Sequence, residues 1–122
     1  MSDRIDDLEA ITEVVQLYID GANGDVAKLE KAFHPDARMF GRIGDRQQAV
    51  PIQDFFGLVS SKPGLAGPSY RARIVSIDVT GDAAVAVLAE DDYAGTDFVD
   101  YFSLARIDGE WKIVNKTYAQ TR

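Results

Sequence analysis

Asp100 is the residue whose surroundings most suggest chemistry. On the segment 97–107, Phe98, Asp100, Phe102 and Leu104 share one face of an extended strand. Three of these four are large and apolar, so that face points to the core. A carboxyl set among phenyl rings resists ionisation, and its pKa rises. Tyr18 lies on the apolar stripe of an N-terminal helix and aims its hydroxyl into the same interior. A protonated aspartate and a tyrosine, both donors in a dry pocket, can hold an oxygen on which enolate or phenolate charge develops. A Tyr–Asp bond can equally be structural only, and a bulge would turn Asp100 outward.

Other candidates are less sharp. His34 is the one histidine, the residue type best suited to proton exchange near neutrality. It stands at the end of the second helix, near the rim of a pocket, as a general base or as a helix-end residue bonding a free carbonyl. Phe33, Phe40, Phe55, Phe56, Phe98, Phe102 and Trp111 serve as core or as pocket walls, since ligand sites are lined by such residues. Asn115 shares strand parity with Trp111 and Ile113; it orients a ligand or bonds to the neighbouring strand. Glu90-Asp91-Asp92 reads as a solvated strand end, because adjacent carboxylates on a strand point to alternating faces and do not converge on one cation. No metal site is expected, and no nucleotide-binding glycine loop or Ser/His/Asp set is present.

The elements that position these residues follow from periodicity. Ile5, Leu8, Ile11, Val15 and Tyr18 mark an amphipathic helix over 4–20, with Ser2 or Asp3 as its cap and Gly21 and Gly24 as its stop. Asp25 caps a shorter helix carrying Val26, Leu29 and Phe33, which ends near His34 because Pro35 disfavours helical geometry before it. Ala37, Met39 and Ile43 alternate with Arg38, Phe40 and Arg42 in a short strand. Pro51 suits a first helical position, ahead of Ile52, Phe55, Phe56 and Val59. The stretch SSKPGLAGPS (60–69) is a connection or a lid. A four-strand meander then runs through turns at 80–82 and 94–95 and a hairpin at Asp108-Gly109. This order defines a single α+β domain over 1–122.

Bulk properties exclude several function classes. With 122 residues, 46% hydrophobic and 27% charged, the chain builds one core. It has no cysteine, which removes disulfides, thiolate nucleophiles and zinc–thiolate sites. A net charge of −7 repels phosphate backbones and anionic lipid heads, so neither nucleic acid nor membrane is an expected partner; Arg71 and Arg73 beside Tyr70 are too small a basic group to change this. The opening MSDRIDDLEA lacks the apolar core of a secretory signal, and no run approaches the roughly 20 apolar residues of a membrane span, so a cytoplasmic location is expected. There Asn115-Lys116-Thr117, a match to the glycosylation pattern, has no role.

The element order, together with VVQLYIDGANGD (14–25), FHPDA (33–37) and DYFSLARIDGEWKIVNKTY (100–118), resembles the NTF2-like superfamily, and most of all its small proteins called "putative lumazine-binding". The resemblance implies a cone: three helices packed on a strongly curved antiparallel sheet, enclosing an apolar pocket. That superfamily holds isomerases, dehydratases, cyclases, epoxide hydrolases and plain binding proteins, so fold alone chooses no chemistry. The first-helix string is similar to that of bacterial ketosteroid isomerases. This implies oxyanion-hole roles for Tyr18 and for Asp100, the latter as a neutral acid. Gly41 stands where that family has its aspartate base, and steroid isomerisation is therefore not expected. On the opposite sheet face Val99, Tyr101, Ala105 and Ile107 are too apolar for open water, and sheet-to-sheet pairing in the superfamily implies a homodimer. The combined expectation is a pocket for a small apolar or aromatic molecule with one anchoring oxygen, needing no cofactor. Any catalysis would be proton transfer of the isomerase, cyclase or dehydratase kind; a non-catalytic binder and a ligand-free association domain are the alternatives.

Overall fold

A computed structural model describes residues 4–62 and 64–122; the expected caps Ser2 and Asp3 lie outside them. The chain forms α1 (Arg4–Ala22), α2 (Val26–Ala32), β1 (Phe33–Ile43), β2 (Arg46–Pro51), α3 (Gln53–Ser61), β3 (Ala66–Thr80), β4 (Ala83–Tyr93), β5 (Thr96–Ile107) and β6 (Glu110–Gln120). The strands make one curved, unclosed sheet in the order β2-β1-β6-β5-β4-β3. All neighbours are antiparallel except β1 and β6, which run parallel.

The α+β architecture matches the expectation, with one strand more than the periodicity indicates. Residues 46–51 pair with 38–43, from Arg38 against Pro51 to Ile43 against Arg46. Pro51 thus closes an edge strand, where its missing N–H costs no ladder bond, and Ile52 takes the N-cap position of α3. Asp25 occupies the N-cap of α2, but its carboxylate makes no capping bond; its backbone carbonyl accepts from Lys28 and Leu29. Within the stretch 60–69, β3 begins at Ala66, and Ala94 N–H donates to Leu65 O at 2.7 Å. Asp108 (φ 51°) and Gly109 (φ 81°) form the left-handed hairpin turn their types favour.

One sheet face carries the core against the helices. Ile11, Val15, Tyr18 and Ala22 of α1 meet Leu88, Phe102, Leu104 and Ile113 of the sheet, all buried. Arg106 fixes the start of α1. Its guanidinium contacts Asp7 at 2.6 Å and Asp82 at 2.8 Å and lies 5.0 Å from the Trp111 ring centroid. Trp111 plugs this end of the core, so Tyr18, three turns along α1, faces the opposite, open end. Among the described residues no helix is long and apolar enough to cross a membrane.

Candidate functional site

At the open end the sheet and α3 enclose a cavity of about 390 Å³. Cross-strand register builds its floor. Asp100 of β5 lies opposite Leu88 of β4 on one side and Tyr118 of β6 on the other, and Tyr118 lies opposite Gly41 of β1. One position further along, Glu90 pairs with Phe98; in the other direction Lys116 pairs with Phe102. Four polar side chains therefore converge on one apolar face.

All are deeply buried: Asp100 is 1% exposed, Glu90 2%, Lys116 5% and Tyr118 7%, and Tyr18 of α1, which meets them from the helix side, is 1% exposed. Tyr18 donates its hydroxyl to Glu90 Oε1 at 3.4 Å, the long limit of a hydrogen bond. Tyr70 donates to Glu90 Oε2 at 2.7 Å. Asp100 Oδ2 has no partner, an orphan acceptor or, when protonated, an orphan donor. Burial drives the Asp100 pKa well above the ordinary aspartate value. Lys116 opposes that shift, the adjacent Glu90 carboxyl adds to it, and a hydrogen bond with Tyr18 pulls against it. Burial, with the charges of Asp100 and Glu90, also raises Tyr18, keeping it a phenol donor. Lys116 Nζ sits 4.1 Å from the Phe55 ring centroid, 5.0 Å from that of Tyr18 and 5.4 Å from that of Tyr118.

Strand parity accounts for Glu90. Ala84, Ala86, Leu88 and Glu90 are all buried on one face of β4, so the expected solvated strand end is wrong for this residue. The acidic run misleads only because its other members behave differently: Asp91 pairs with Arg71 at 3.0 Å and Asp92 accepts Ser69 N–H at 2.9 Å. Among the described residues no cluster of His, Asp or Glu could hold a metal.

Lys116 and Tyr118 escape simple parity because β6 carries a bulge. Leu104 pairs with Ile113 but Ser103 pairs with Asn115, leaving Val114 as an extra residue. Inward-facing positions are Trp111 and Ile113 before the bulge, Lys116 and Tyr118 after it. Asn115 consequently lies off the cavity, donating to Thr117 Oγ1 at 2.9 Å.

Of the other aromatics, Phe55 and Phe98 line the cavity. Phe33 and Phe102 pack edge-on against Tyr18 beneath it, and Phe56 packs on Phe33. Phe40 is on the outer face, exposed and under Arg38, because β1 turns Ala37 and Met39 inward. Trp111 sits at the closed end with Nε1 unpaired. His34 is not at the rim: β1 begins immediately after α2, and its Nδ1 accepts Asp36 N–H at 3.0 Å. Gly41 explains itself against Tyr118: a Cβ at Gly41 would lie 2.5 Å from the Tyr118 ring. That ring, whose hydroxyl donates to Gln48 Oε1, fills the space that a base at position 41 would need.

A family model described as "Putative lumazine-binding" matches residues 6–119. A crystal structure of an NTF2-like protein of unknown function from Shewanella baltica OS155 is 30% identical, with TM-score 0.89, covering 100% of this chain and 99% of that one. A protein named aldolase FrzH, from Cladobotryum sp., is 24% identical over 112 residues, 90% of this chain and 88% of its own. A ketosteroid isomerase-like protein from Erwinia carotovora atroseptica shares the fold at TM-score 0.70 and 14% identity, covering 94% of this chain and 96% of that one.

Proposed function

Because the chain belongs to the family described as "Putative lumazine-binding", within the NTF2-like fold, we propose that its cavity binds a small, largely apolar molecule through one enolic, phenolic or carbonyl oxygen. The observation that carries this reading is the buried Tyr18–Glu90–Asp100 group with its unpartnered Asp100 oxygen, facing a cavity whose apolar walls include Met39, Ile43, Phe55, Leu58 and Phe98, with Arg46, Gln48, Asp54 and Lys116 also lining it. A neutral Asp100 supplies one donor to that oxygen, the Tyr18 hydroxyl supplies a second when it leaves its long 3.4 Å bond to Glu90, and Glu90 is then a carboxylate that can accept a proton to be moved. Aldolases act on carbonyl compounds, so the relative of that name supports the same ligand class. Catalysis, where it occurs, is proton transfer beside a carbonyl. Simple binding is the second reading, favoured by Tyr118 occupying the space of a base at position 41.

Titration calorimetry with 2-naphthol tests the site. Asp100→Asn and Tyr18→Phe are each expected to weaken binding by about 1 kcal/mol, roughly fivefold, the worth of one hydrogen bond. Together they lose less than the sum, because both donors meet one oxygen. Equal affinity in all four proteins would place the ligand elsewhere.

The outer sheet face supports a homodimer. Tyr101 is 50% and Val85 45% exposed there, with Val99, Ala105 and Ile107 half-buried beside them. Tyr101→Lys combined with Ile107→Lys is expected to yield monomers in light scattering. A wild-type monomer would end the proposal; an unchanged dimer would move the interface.

A further inference from the structure

Lys116 is a costly residue to bury. A lysine inside a protein normally extends its amine to water or to a carboxylate. Here the bulge in β6 turns it inward, and three aromatic rings, not hydrogen-bond acceptors, surround its Nζ. No hydrogen bond or ion pair holds that nitrogen among the described residues, yet Lys116 lines the same cavity as Asp100 and Glu90, and its charge acts on Asp100. A desolvated amine next to proton donors and acceptors is the arrangement of a nucleophilic lysine.

We infer that Lys116 forms a Schiff base with an aldehyde or ketone of apolar body held in this cavity, Asp100 and Glu90 moving the protons. The inference rests on the reading of the cavity as a site for an oxygen-bearing apolar molecule. Glu90 takes the proton that the ammonium sheds. The neutral Nζ attacks the carbonyl carbon: a C–N bond forms, the π pair moves to oxygen, and a proton passes from nitrogen to that oxygen. The resulting carbinolamine receives a second proton from the Asp100 carboxylic acid and expels water, leaving a protonated imine on Lys116 opposite the Asp100 carboxylate. Removal of an α-proton by that carboxylate gives the enamine and restores the acid. No oxidant or reductant enters.

Benzylacetone with sodium cyanoborohydride tests this on the whole chain, because the hydride traps the imine as a secondary amine. The expected result is one added alkyl group per chain, mapped by peptide mass spectrometry to Lys116. It is kept in Lys112→Met and lost in Lys116→Met. Should Lys116→Met fail to fold, the wild-type map decides alone. Binding of benzylacetone in saturation-transfer NMR without an adduct, or with adducts spread over surface lysines, overturns the covalent step and leaves the binding site standing. Neither binding nor adduct overturns both.

Discussion

Replacing Asp100 by Asn is expected to make the folded chain more stable at neutral pH, by about 1.4 kcal/mol for each pH unit from the unfolded value of about 3.9 up to the folded pKa, or up to neutral pH where that comes first. Burial is the main cause of that rise, supported by Glu90 and opposed by Lys116 and Tyr18. A raised acid binds more protons folded than unfolded, so stability falls as pH rises between the two values. Below the unfolded value of about 3.9 Asp100 is neutral in both states and the penalty is absent. It grows as pH climbs through that value and levels off once the folded pKa is passed. Asn keeps the shape and never ionises. Urea unfolding of both proteins from pH 3 to 8 is expected to show a gap that opens upward with pH, in favour of the variant. A gap of opposite sign at pH 7 would mean that Asp100 is held as a carboxylate, and carbon-detected NMR of its carboxyl would then titrate at or below about 4.

The second large effect is expected at Gly41. An added methyl meets the Tyr118 ring at 2.5 Å. The ring cannot step aside freely: its hydroxyl is bound to Gln48 and its edge packs against Phe98 at 5.6 Å between centroids. Overpacking of this kind costs roughly 1–3 kcal/mol. Gly41→Ala should therefore destabilise the wild-type chain by that amount, and much less when Tyr118 is Leu, a coupling that a double-mutant cycle in urea measures directly. Equal costs in both backgrounds would clear Tyr118 of the role. The same obstruction bears on catalysis. A general base contributes on the order of 10²- to 10⁴-fold, and none can be seated at position 41 while Tyr118 lies there, so isomerisation of a 5-ene-3-ketosteroid is expected to be weak.

What could be read in advance divides along a physical line. Tyr18 and Asp100 were visible because each sits in an undisturbed repeat, the α1 stripe and the Phe98–Leu104 alternation. Glu90 obeys the same alternation through Ala84, Ala86 and Leu88, but its acidic neighbours masked it; composition outweighed parity where parity was the better guide. β2 was hidden because RQQAVP has too little apolar content to alternate visibly, being exposed or half-exposed throughout. Lys116 and Tyr118 were not recoverable from periodicity, since the register shift that turns them inward depends on how β6 pairs with β5 and β1. Phe33, Phe102 and Trp111 show the remaining difficulty: burial is legible, but which buried rings border empty space depends on how α3 meets the sheet.

The bulge at Val114 has an arithmetic consequence. Trp111 and Lys116 stand an odd number of steps apart, and a regular strand puts such positions on opposite sides. Both point inward here, so an odd count of irregularities is obligatory somewhere between them. With Ile113 also inward, the defect is confined to 114–115, and it cannot be annealed out while both ends keep their places. Straightening it would expel either the tryptophan that plugs the closed end or the amine that faces the open one. In this sense the two ends of the core constrain one another through a conserved parity, with no contact passing between them.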